Sequence, residues 1–148
     1  MTESQVTSPA GTKGIDVRAP RFGATLTTVV LLVVLATGSG WLLAAQALVF
    51  AIGAFAGLRR APYGLLFVRV VRPRLGPPSA FEDEAPPRFA QGVGLAFAVV
   101  GAIGYLAGVP VLGVTATALA LAAAFLNAAF GFCLGCEMYL VLVRARGV

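Results

Sequence analysis

The chain contains no histidine, and its single lysine, Lys13, falls in a polar N-terminal stretch. Without histidine there is no Ser-His-Asp triad, no HExxH zinc site and no CxxCH haem attachment. Without a lysine beyond residue 13 there is no phosphate-binding loop of the Walker type. Only two cysteines are present, too few in one chain for a tetrahedral zinc site, which takes four ligands. No metal or cofactor motif is left. Charge is also scarce: Asp, Glu, Lys and Arg make up 11% of the 148 residues, where a soluble domain carries about 25%.

What is present is apolar. Hydrophobic residues account for 59% of the chain and the mean hydropathy is +0.91, so the expected solvent is a lipid bilayer. The net charge of +5 does not point to nucleic acid, because the arginines flank long apolar runs, where they anchor helices at lipid headgroups. From Phe22 to Leu58 no residue is charged; as one helix that run would measure about 55 Å against a hydrocarbon core of roughly 30 Å. It must fold back, and Gly38-Ser39-Gly40 is the natural turn. The second charge-free run, Phe89 to Cys136, is broken at Gly108-Val109-Pro110-Val111, since proline cannot donate a helical hydrogen bond. The expected fold is an all-α membrane protein, a four-transmembrane-helix bundle of two hairpins. Its helices lie near 24–37, 41–58, 89–107 and 112–143, after a polar tail over 1–21 and around a cytoplasmic loop, 59–88. The last helix is too long for one perpendicular span. It must tilt, bend at its glycines or project beyond the membrane.

Charge placement orients the bundle. With both termini cytoplasmic, all eleven basic residues fall on inner segments and the two outer turns have none, as the positive-inside rule requires. Trp41 and Tyr105 then lie near the outer boundary. Ala45-Gln46-Ala47 resembles a signal-peptide cleavage site, but cleavage there would leave a chain beginning inside an apolar run. The single lysine with abundant Ala, Gly, Val and Arg suggests a GC-rich bacterial genome, and the expected location is the bacterial cytoplasmic membrane. In the middle segment, Tyr63–Arg72 should lie along the inner surface, and the acids Glu82, Asp83 and Glu84 read as a solvated connector between prolines. Pro20-Arg21-Phe22 and Pro87-Arg88-Phe89 open the two hairpins alike, consistent with duplication of a two-helix unit or with a common start for inward-anchored helices. Small residues supply helix contacts in lipid: Gly53 and Gly57; Gly94, Gly101, Gly104 and Gly108; and Thr117, Ala120, Ala124, Ala128, Gly131 and Gly135.

The chemistry concentrates in the last helix. On one continuous helical wheel Cys133, Cys136, Glu137 and Arg144 span about 100°, opposite the small-residue face. Two thiols beside the one acid of the second run suggest function, because an ionisable group in a membrane helix is costly; packing cysteines and a structural Glu137–Arg144 pair are the alternative. A regular helix holds i and i+3 β-carbons about 5–6 Å apart, whereas a disulfide needs about 3.8 Å, so bonding would require loosening at Gly131 or Gly135.

At Asp16-Val17-Arg18-Ala19-Pro20-Arg21-Phe22, Pro73-Arg74-Leu75-Gly76-Pro77-Pro78, Pro87-Arg88-Phe89-Ala90-Gln91 and above all over 130–139, the chain resembles the bacterial membrane proteins grouped as domain of unknown function 4395. The resemblance implies a small membrane protein associated with thioredoxin-like proteins and sulfurtransferases, with no established activity.

Three functions remain open, and with them whether the protein is an enzyme. In the first, Cys133 and Cys136 exchange electrons or a sulfane sulfur with a soluble thioredoxin-like or rhodanese-like partner, Glu137 accepting the thiol proton. In the second, Gln46, Asn127 and Glu137 line the path of a small-solute or sulfur-anion carrier, with homo-oligomers expected. In the third, the basic inner surface and the proline-rich loop make a scaffold.

Overall fold

The computed structural model describes residues 7–8, 15–77 and 80–147. Most of the expected polar tail, and Pro78 and Ser79 of the middle loop, lie outside the described residues. Along the chain come two short strands, β1 (Thr7–Ser8) and β2 (Ile15–Asp16), then helices α1 (Ala19–Thr37) and α2 (Gly40–Phe55). A helical passage follows: α3 (Pro62–Leu66), a π-helical turn (Phe67–Val71) and α4 (Arg72–Leu75). Strand β3 (Phe81–Glu82) leads into α5 (Ala85–Leu106), α6 (Pro110–Phe130) and α7 (Leu134–Ala145).

Three of these helices, α1, α5 and α6, are long and apolar enough to cross a membrane; α2 is apolar but shorter. Large apolar side chains on their outer faces stand open, among them Leu48 at 63%, Ile103 at 57% and Val111 at 76%, which suits lipid rather than water. The interior joins Leu31 and Val34 of α1 to Leu43, Ala47 and Phe50 of α2, Ala98 and Ala102 of α5 and Ala120 of α6.

The turns between α1 and α2 and between α5 and α6 form where glycine and proline place them. Gly38 ends α1 in the left-handed conformation, and Ser39 caps α2, its Oγ accepting from the Leu42 N–H at 3.1 Å. Gly108 is left-handed and Pro110 opens α6, a position at which the missing N–H costs no helical bond. The packing crosses between hairpins. α1 lies mainly on α6 and α2 mainly on α5, while α1 and α2 touch each other only slightly.

Small residues allow these approaches. A β-carbon on Gly94 would meet the Phe50 ring at 2.8 Å, and one on Gly104 would meet the backbone N of Gly113 at 2.6 Å. Three members of the expected stripes have other roles: Gly57, Gly108 and Gly131 sit outside the helices with positive φ.

Two expectations are corrected. The helix expected over 112–143 is two helices, because Gly131 takes φ +69° and stops α6. The single wheel placing Cys133 with Glu137 and Arg144 therefore does not apply. The acidic connector is largely not solvated: Glu82 is 5% exposed, and the Glu84 carboxylate accepts the Leu58 N–H at 2.8 Å. Asp83 alone of the three is exposed. The reason is a small sheet in the order β1-β3-β2, in which β3 pairs antiparallel with residues preceding α1. Within it Asp16, itself 4% exposed, binds Arg18 at 2.8 Å and lies 3.7 Å from Arg72. Burial alone would raise the Asp16 carboxyl, but hydrogen bonds and charge from Arg18, with the charge of Arg72, bring it below its usual range.

Candidate functional site

The site is built by the break between α6 and α7. Gly131 closes α6 with its N–H on the Asn127 carbonyl at 2.9 Å; a left-handed residue is what such a C-terminal turn needs, and glycine adopts it without strain. The chain then extends through Phe132, and Cys133 becomes the N-cap of α7, its Sγ accepting the Cys136 N–H at 3.2 Å. Cys133 and Cys136 are joined by a disulfide with Cα atoms 5.2 Å apart. The loosening at Gly131 makes this bond possible, since Cys133 no longer has helical geometry while Cys136 occupies the first turn. Gly135 keeps its expected packing role: a β-carbon there would lie 2.5 Å from that of Ala90 on α5. The Phe89 and Tyr139 rings, 5.6 Å apart, extend the same contact.

Both cysteines are closed to the outside, Cys133 at 7% exposure and Cys136 at 1%. Cys133 instead lines an internal cavity of about 310 Å³ walled by α1, α2, α3, α5, α6 and the start of α7. The walls are mainly apolar, with Phe50 and Ala124 among them, and Thr27, Gln91 and Asn127 supply polar atoms. Thr27 was not foreseen as a site residue. Three of the four threonines of α1, Thr25, Thr28 and Thr37, donate to the carbonyl four residues back at 2.7–2.8 Å. The hydroxyl of Thr27 makes no hydrogen bond among the described residues, although Thr27 is only 5% exposed. A local signal would have been hard to find, since all four threonines look alike in an apolar run.

The other candidates are dispersed. Glu137 is half-buried in the first turn of α7, its backbone N–H on the Cys133 carbonyl at 3.1 Å, and it is not part of the cavity wall. Gln46 is 2% exposed and accepts the Tyr63 hydroxyl at 2.6 Å, while its Nε2 has no partner among the described residues. It too stands outside the wall, so of the expected carrier path only Asn127 faces the cavity. No group of three or more Cys, Asp or Glu able to hold a metal occurs among the described residues.

No curated protein and no solved structure matches the chain. The profile of one family, described as a domain of unknown function (DUF4395), matches residues 15–144, and the chain belongs to that family.

Proposed function

We propose that the protein is a membrane-embedded dithiol–disulfide redox protein. The observation that carries this reading is the placement of Cys133 at the N-cap and Cys136 in the first turn of α7, bonded to each other. The amides and dipole of a helix N-terminus favour a sulfur anion once the bond opens, which makes the N-terminal sulfur of such a pair a good attacking and leaving group. In this reading α2 completes a bundle of four spans. At 16 residues it would be about 24 Å long, short for a core of roughly 30 Å and workable with a thinned or tilted fit. Both termini and α7 lie on the cytoplasmic side, where the arginines are concentrated. Thiols in that compartment are kept reduced, so a disulfide there turns over rather than serving as a permanent staple.

The soluble partner is a thioredoxin-like dithiol protein; Cys133, at 7% exposure the more open of the pair, becomes reachable to its sulfur when the start of α7 loosens from α5. Cys136→Ser leaves Cys133 able to hold a mixed disulfide, and Cys133→Ser does not. In membranes incubated with a thioredoxin that lacks its resolving cysteine and carries its attacking cysteine as a mixed disulfide with thionitrobenzoate, the Cys133 thiolate of C136S should displace thionitrobenzoate and give a reducible adduct, and C133S none. Equal adducts, or none with either, would remove the thioredoxin step.

Orientation is tested separately, in a chain without native thiols. Cysteines at Ser39 or Val109 should react with an impermeant maleimide in intact cells, and one at Gly147 only after lysis; the opposite pattern inverts the topology.

A further inference from the structure

The disulfide is nearly sealed from the outside but faces the interior of the bundle. A partner that reaches Cys133 through the cavity therefore has to be small, and a partner entering among lipid-facing helices has to be lipid-soluble. The cavity of about 310 Å³ sits at the low end of ligand sites, roughly 300–1,000 Å³, room for a ring system without a long chain. An entirely apolar groove of about 280 Å³ between α5 and α6 shares Phe97 and Leu119 with it. The groove therefore lies directly beside the first space.

The cavity wall carries a few hydrogen-bonding groups among its apolar residues. Thr27, 5% exposed, has no partner for its hydroxyl among the described residues, and the side chains of Gln91 and Asn127 also line the wall. Polar groups on an otherwise apolar wall favour a ligand whose oxygens can pair with them. The one redox-active group on the wall, the cysteine pair, gives or takes two electrons.

We infer that the cavity is the site of a lipid-soluble quinone, which the reduced Cys133–Cys136 pair converts to the quinol. This rests on the dithiol reading above and names its second substrate. The Cys133 thiolate adds to a ring carbon of the quinone, forming a C–S bond. The Cys136 sulfur then attacks Cys133 Sγ; the S–S bond forms, the C–S bond breaks and the ring leaves as the hydroquinone. Two electrons pass from the two sulfurs to the ring, and the two thiol protons end on the two quinone oxygens. The soluble dithiol partner then reopens the disulfide and is itself oxidised. Electrons thus run from cytoplasmic thiols into the membrane.

The test uses the full chain in lipid nanodiscs, reduced with dithiothreitol and freed of it, then mixed with decyl-benzoquinone. The expected result is one quinol formed for every two thiols lost. Ala124→Phe, which fills the cavity beside α6, should slow the reaction at least tenfold in protein that still elutes as a single species. Thr27→Val, nearly the same shape without the hydroxyl, should raise the quinone concentration needed for half-maximal rate several-fold, and it keeps the test valid if A124F does not assemble. Quinone left unreduced by the wild type, or wild-type kinetics in both variants, overturns the inference. If the pair still cycles between dithiothreitol and diamide in that case, the dithiol reading survives alone. If it does not cycle, both fall.

Discussion

The two hairpins are built to one plan and finish differently. Each opens with Pro-Arg-Phe, and the arginine reaches the other hairpin. Arg88, at the start of α5, donates to the Ala54 and Phe55 carbonyls at the end of α2 at 2.9–3.0 Å. Arg21, at the start of α1, donates to the Ala128 and Ala129 carbonyls at the end of α6 at 3.1 and 3.4 Å. Each supplies donors to carbonyls that a helix end leaves unpaired. The lead-in segments pair with each other, Ile15 opposite Glu82, and these two residues stand at the same distance before their prolines. After each hairpin comes a left-handed glycine, Gly57 or Gly131, then an extended N-cap residue and a short helix. At that N-cap the first copy has Ala61 and the second Cys133. The framework therefore does not need the cysteines; what sets the second copy apart is the disulfide on the cavity wall.

The comparison can be broken most severely where each short helix meets its neighbour. A β-carbon on Gly64 would strike the Leu58 carbonyl oxygen, and one on Gly135 would strike Ala90. Gly64→Leu and Gly135→Leu should both prevent recovery of a single species on size exclusion. Normal assembly of either would show that its short helix is not part of the framework.

A smaller effect separates Ile15 from Glu82. Both are buried, at 4% and 5% exposure, but burial, with the nearby charge of Asp83, pushes the Glu82 carboxyl up to about 7. A carboxyl raised in the folded state contributes its stability below its unfolded value and loses it as pH rises through the folded one. Stability should therefore fall between about pH 4.5 and pH 7, by roughly 2–3 kcal/mol as an upper range. Glu82→Gln should flatten that slope in thermal unfolding. An unchanged slope would mean that Glu82 is ionised in the folded protein.

The smallest effect is the difference between the two arginines. Arg88 makes three bonds in a half-buried setting and Arg21 two longer ones in an exposed one. With charged hydrogen bonds worth about 1.5–3 kcal/mol when well formed, R88A should cost about 2 kcal/mol and R21A about 1. Equal losses in detergent unfolding would mean that the two hairpins are held with the same strength.

The turns were legible because glycine, serine and proline interrupt long apolar runs, and the long apolar helices because charge is absent within those runs. The break at Gly131 was only half legible. A glycine inside an apolar run does not disturb the hydrophobic pattern; the excess length of the expected last helix was the one sign that something had to give. The cysteine pair was legible as a pair, but its position at a helix start was not, since that depends on the turn before it. Glu82 looked like part of a solvated connector and Asp16 like part of a polar tail, because their burial comes from pairing segments far apart in sequence. Thr27 could not be singled out, because whether its hydroxyl bonds to its own helix depends on the cavity beside it.

The arginine exchange also bears on the order in which the protein is made. When α2 emerges from the ribosome, the groups that will cover the Ala54 and Phe55 carbonyls have not yet been synthesised; they arrive with Arg88. The carbonyls at the end of α6 are met by Arg21, made long before. The first hairpin is thus inserted in an unfinished state and the second is received by a partner already waiting. Final assembly is accordingly a late event of biosynthesis, and a chain truncated before residue 88 should be a substrate for membrane proteases rather than a stable half-protein.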